Sequence, residues 1–180
     1  DGMHLDPSGN LQAAGVLRVV EHYEPFILTL DPEGNDIGRN AIPLSYEYTP
    51  RSLEVGSMGE RYVLTTVMGG IDDARVKFAA DGSLVWQFPD VFSDSILKPL
   101  PAGRSVELAA LSSLVWLHVY GADGQTLVER QLADGRVLVR SVDVSSDGSL
   151  LLAGKLDGAL DGKSSYGGSD GFVVKLEPEP

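Results

Sequence analysis

Few residues of this chain have both the type and the company needed to do chemistry. The three histidines are His4, His22 and His118, and no two have the helical or hairpin spacing of a zinc site. His22 stands next to Tyr23 and close to Glu24, and it reads as a solvated loop pair with that glutamate. His118 differs, because it occupies an apolar position in the alternating segment "LVWLHVY". Glu107, in the preceding segment "SVELAAL", likewise falls where an aliphatic residue is expected. A carboxylate beside an imidazole orients or charges it for acid–base work. The same pair can also be a satisfied polar contact in a core, and no nucleophile or second acid accompanies it. Glu107 and His118 are therefore expected to form a buried polar pair.

Carboxylates supply the remaining candidates. Glu24, Asp72 and Asp170 each stand two residues before a strand-like segment, with Asp73 adjoining Asp72. Asp157, Asp161 and Asp170 punctuate the Gly-rich stretch "GALDGKSSYGGSDGFVVKL" and form a candidate calcium set. Calcium takes about six to eight oxygens, several of them from one compact loop. The spacing does not match a D-x-D-x-D-G loop, and neither does "DPEGND" at 31–36. Each carboxylate is thus expected to accept N–H bonds from its own loop. Calcium is the one cofactor left open.

Other chemistries are excluded or unsupported. There is no G-x-S-x-G, H-E-x-x-H, P-loop or dinucleotide fingerprint. "AADGSLVW" keeps the Asp81 to Trp86 spacing of a sialidase-type Asp box but lacks its serine. Zero cysteines remove disulfides, thiolate catalysis and Cys-type zinc sites together. The net charge of −12 argues against nucleic acid, whose binding rests on Lys and Arg neutralising phosphates. No apolar run reaches the roughly 18 to 20 residues that span a bilayer, so membrane insertion is not expected. At 180 residues and 43% hydrophobic, the chain is long enough for one globular domain.

The elements that position these residues recur along the chain. Helix signals are almost absent, and short apolar runs alternate with Gly turns flanked by Asp, Asn or Ser. One turn recurs at Gly9, Gly59, Gly103 and Gly148, and a second at Gly34, Gly82 and Gly124, with Pro180 in the fourth place. A period of roughly 45 residues with several strands per unit marks a propeller or solenoid. Units at 1–48, 49–92, 93–134 and 135–180 each read as strands A to D in antiparallel order. Strand D is read as "AIPLSYEY", "SLVWQF" and "TLVERQL", with no fourth copy. The expected fold is an all-β propeller of about four four-stranded blades, the last without its outer strand. Two-residue hairpin turns account for the glycines.

Aligning strand C places Leu30, Phe78, Tyr120 and Leu176 in register, preceded by Leu28, Val76, His118 and Val174. Glu107 then matches Ala13, Val63 and Leu152 on strand B. The B–C connections at 15–25, 67–73, 110–114 and 154–171 vary in length, and variable loops on a rigid scaffold usually carry binding. That makes His22, Tyr23, Glu24, Asp72, Asp73, Tyr166 and Asp170 the expected ligand-binding face. Its tyrosines could stack on a sugar.

The unit "SSDGSLLLAG…GGSDGFVVKLEPE" resembles the β-propeller repeat of bacterial secreted and cell-surface proteins. The match is good over 141–180, fair over 3–36, and limited to turns and strand pattern between them. "FAADGSLVWQFP" is similar to the repeats of quinoprotein propellers, but only Trp86 holds the docking position and Trp116 lies on another strand. A bound quinone is not expected. The resemblance implies a protein secreted, on a bacterial cell surface or in the periplasm. It implies a scaffold or binding module for protein or carbohydrate, with a protein partner or further blades at the open edge. The alternative is part of a glycoside-acting or quinoprotein-like enzyme whose other site residues lie outside this chain.

Overall fold

The computed structural model describes residues 2–6, 8–19, 22–43, 48–67, 73–89, 94–111, 114–160, 163–164 and 170–177. Among these residues the chain is all-β, with a single 3-10 turn at Pro101–Gly103 and no α-helix. It forms two compact units, residues 1–91 and 92–180. The first unit holds two antiparallel sheets of four strands each. One is β1 (Met3–Leu5), β2 (Leu11–Val19), β3 (His22–Leu30) and β4 (Asp36–Ala41), in that order. The other is β5 (Tyr48–Val55), β6 (Arg61–Val67), β7 (Asp73–Phe78) and β8 (Leu84–Pro89).

The second unit is one longer sheet. Its path runs β9 (Asp94–Pro99), β10 (Ser105–Leu111), β11 (Leu114–Tyr120), β12 (Thr126–Val144), β13 (Leu150–Leu160) and β14 (Lys163–Ser164). β15 (Asp170–Leu176) also pairs with β13. Where the repeat pattern places a boundary at residue 134, β12 continues without a break. Ala133 and Asp134 pair with β11 on one side and β13 on the other, so one strand serves both repeats.

The turns explain the glycines. Gly9, Gly34, Gly59, Gly82, Gly103, Gly124 and Gly148 all have φ between 71° and 88°. In six of them the glycine N–H donates to the carbonyl three residues earlier, as Gly9 does to Asp6 at 2.9 Å. The residue at that earlier place then donates to the carbonyl after the glycine, as Asp6 does to Asn10 at 2.9 Å. These are three-residue hairpin loops with glycine in the left-handed place, not the two-residue turns expected. At Gly103 the preceding Ala102 also takes a positive φ of 62°, so the short Pro101–Gly103 turn contains a left-handed, non-helical residue.

The repeat holds in the strand registers. Ala13 stands opposite Leu28, Val63 opposite Val76, Glu107 opposite His118 and Leu152 opposite Val174. Other expectations shift. Strand D of the first repeat is Asp36–Ala41, not "AIPLSYEY", because pairing with β3 begins directly after the short loop. The supposed loops at 15–25 and 154–171 are largely ladder. β2 and β3 stay paired out to Val19 and His22, and β13 runs on to Leu160 against β12. Gly15, within that extension, lies under the Phe26 ring of the partner strand, with room for a Cβ at ordinary van der Waals distance. Pro180, the fourth turn position, lies outside the described residues.

Each unit has its own core. In the first, Ile27 and Ile42 bury against Leu53, Val63, Val76 and Phe78, so one face of the first sheet covers one face of the second. In the second, Val106, Leu108, Leu117 and Val119 of β10 and β11 join Leu150, Leu152, Leu156 and Leu176 of β13 and β15. Each such aliphatic side chain contributes about 1.5–3 kcal/mol on burial.

Candidate functional site

The face of β10 and β11 opposite that core is polar. Successive residues of a strand point to opposite faces. Val106 and Leu108 on the core side therefore leave Ser105, Glu107 and Ala109 on the other. Their register partners on β11 are Tyr120, His118 and Trp116. Glu107 is 0% exposed and His118 8%. The Tyr120 hydroxyl donates to Glu107 Oε2 at 2.9 Å, and His118 Nδ1 lies 3.3 Å from the same oxygen. The phenol is the donor to that oxygen, while the direction of the imidazole contact is set by which ring nitrogen carries the proton. Trp116 stacks on the imidazole at 6.4 Å and 24°, and the Tyr120 ring is tilted against it at 6.0 Å.

This arrangement holds an imidazole in place. The strand register puts the pair directly opposite, and the neighbouring rings limit rotation of His118. Chemistry on a substrate needs an approach to the reacting atoms, and Glu107 has no exposed surface. The Ser95 and Ser105 hydroxyls, on the same face, are buried with no hydrogen-bond partner among the described residues.

The first unit carries a polar cluster that the sequence pattern does not single out. Tyr62 and Lys77 are register partners on β6 and β7, with Lys77 Nζ 5.4 Å from the Tyr62 ring centre. The Tyr62 hydroxyl donates to Glu60 Oε1 at 3.5 Å. Burial, and then the Glu60 charge, push the Tyr62 phenol well above its ordinary range. Glu60 also accepts the Met58 N–H at 3.0 Å and folds back over Gly56. The readable signal was Gly56, whose missing Cβ leaves room for that carboxylate.

The proposed ligand face is described only in part. His22 and Tyr23 lie in the β3 ladder opposite Val19 and Arg18. Glu24 is exposed in β3 opposite Leu17, and Asp170 is half-buried in β15 opposite Leu156. Both carboxylates thus hold equivalent ladder positions within strands, not in loops. Asp73 opens β7 opposite Thr66. Asp72, Asp161 and Tyr166 lie outside the described residues.

Asp157 and Asp170 do not converge. Asp170 shares a face with its partner Leu156, so the next residue, Asp157, points to the other face, alongside its own partner Arg136. Among the described residues no group of three or more His, Asp or Glu side chains could hold a metal ion. The turn carboxylates instead bind their own loops. Asp31 accepts the Asn35 N–H at 2.7 Å and its side-chain amide at 2.8 Å, and Asp6 does the same with Asn10. Among the described residues no helix is long and apolar enough to cross a membrane.

No family model and no curated protein matches this chain. A solved structure of a luciferin-regenerating enzyme is similar in fold, with a TM-score of 0.55 at 11% identity over 86% of this chain and 68% of that one. At that identity the likeness concerns the fold alone, which is β-propeller-like and all-β.

Proposed function

We propose that this chain is a non-catalytic binding module of the β-propeller type, working outside the cell or at its surface, with a protein or carbohydrate ligand. The observation that supports this reading is the burial of Glu107. The residue best placed for acid–base work is sealed in the sheet and engaged by Tyr120 and His118. In the first unit the tight loops gather at one end of each sheet and satisfy their own backbone groups. Ligand recognition then falls to the opposite ends, where β3 opens at His22, Tyr23 and Glu24 and β7 at Asp73. Acidic ends suit a cationic or hydroxyl-rich partner.

A second reading draws on the same cluster and on the fold shared with an enzyme. In it, Glu107 and His118 belong to a propeller enzyme whose other site residues lie elsewhere. Binding to a glycan array and to a panel of basic proteins, measured beside hydrolysis of generic glycosides, separates the two. Binding weakened by Tyr23→Ala and Glu24→Ala but untouched by Glu107→Gln supports the module. Turnover abolished by Glu107→Gln overturns it in favour of the enzyme.

A further inference from the structure

Two ladder positions carry an aromatic ring with opposite charges beside it. Phe26 on β3 pairs with Ala41 on β4, and Leu28, two residues on, pairs with Arg39. Trp116 on β11 pairs with Gln131 on β12, and His118, two residues on, pairs with Glu129. Register partners share a face of the sheet, so each ring has its charged neighbour diagonally across on its own face. On β3 and β4 the contact is closed within the chain. The Arg39 guanidinium carbon lies 5.0 Å from the Phe26 ring centre, and its Nη2 donates to Asp36 Oδ2 at 3.2 Å.

On β11 and β12 that cation has no counterpart. Glu129 is exposed where Arg39 stands, and Trp116 is only partly buried. Indole binds cations better than the phenyl ring does. Among the described residues no cationic side chain lies over Trp116, and Glu129 makes no hydrogen bond or ion pair. The indole is already held in place, since the His118 imidazole stacks on it at 6.4 Å. Gln131 Nε2 donates to the Ala133 carbonyl at 3.1 Å, which leaves its Oε1 to accept from elsewhere.

We propose that Trp116 and Glu129 form a subsite for an arginine side chain of a protein partner. The inference rests on the binding-module reading and narrows its ligand to a basic segment. A guanidinium stacks flat on an aromatic ring while its N–H groups donate to a carboxylate. Arg39 makes that same combination with Phe26 and Asp36 inside the chain. The net charge of −12 draws a basic partner in.

Tryptophan fluorescence, titrated with a short peptide of alternating glycine and arginine, tests this. Trp86 is 6% exposed, so a change on binding reports Trp116. Saturable binding is expected, about tenfold or more weaker for the same peptide with neutral citrulline in place of arginine. Glu129→Arg supplies the cation from the chain itself, as Arg39 does, and should weaken the arginine peptide by about tenfold or more. Circular dichroism should stay unchanged, since residue 129 is exposed. Glu33→Arg makes the same change in net charge at an exposed turn and should alter binding by no more than about twofold at physiological salt. No saturable binding of the arginine peptide, equal affinity for the citrulline peptide, or undiminished binding by Glu129→Arg each overturns the subsite. Any of these beside a glycan that binds the chain and is lost with Glu24→Ala leaves the binding module standing without it.

Discussion

Glu107 and His118 face each other across β10 and β11 with 3.3 Å between Oε2 and Nδ1, at the ladder position where the other repeats place aliphatic pairs. The second sheet has Val63 and Val76 there, both fully buried. A polar pair stands where the other repeats have apolar ones, and Tyr120 is engaged with it.

An apolar pair like those of the other repeats can be built at this position. Glu107→Ala leaves His118 and Tyr120 without their shared partner and should cost about 2–4 kcal/mol of stability. Glu107→Val with His118→Val restores the apolar pair and should cost less than the sum of the single changes. Denaturant melts of the two single variants and the double variant give the coupling directly. Additive costs would remove the pair as an interacting unit.

The glycine of β13 is steric in its requirement. A Cβ on Gly154 would collide with the Leu138 carbonyl oxygen and come within 2.9 Å of the Phe172 ring. Gly154→Ala is expected to destabilise the second unit by about 2 kcal/mol or more. Gly148→Ala, at φ 84°, should cost about 1–2 kcal/mol from backbone conformation alone. Thermal melts decide, and an unchanged Gly154→Ala melting point contradicts the packing described.

Acid should act on the turns. Hydrogen bonds from the side chains of Asn10, Asn35, Ser83 and Ser145, reinforced by backbone N–H groups, hold Asp6, Asp31, Asp81 and Asp147 below the usual carboxylate range. A carboxyl depressed on folding contributes stability that is complete above its unfolded value and lost as pH falls through the folded one. Melting temperature is therefore expected to be insensitive to these groups above about pH 5 and to decline below about pH 4. Asp31→Asn with Asp147→Asn should flatten that decline. An equally steep acid limb in the double variant would falsify the assignment.

Calcium should leave the melting point unchanged. Asp157 and Asp170 point to opposite faces of the same sheet and cannot share an ion. Calcium titration followed by calorimetry checks this. A rise of several degrees would mean that Asp170 finds its partners elsewhere.

The hairpin loops and strand registers were legible in the sequence because their causes are local. A positive φ selects glycine over every residue with a Cβ, and alternation by two fixes which side chains share a face. That reasoning located all seven turn glycines and placed Glu107 opposite His118. It failed where ladders outran the apolar pattern, as in β2 beyond Gly15 and β13 beyond Gly154, since backbone hydrogen bonds ask little of side-chain type. It also divided β12, where one strand serves two repeats.

Sequence alone determined that this chain is a series of antiparallel sheets and where each one turns. Only tertiary structure decided that Glu107 is sealed, that Asp157 and Asp170 part to opposite faces, and that Ile27 is covered while Val173 is bare. The physical reason is the range of the forces involved. Turn conformation is settled within a few residues, whereas burial depends on which sheet lies against which. Ile27 and Val173 hold equivalent ladder positions and differ in exposure.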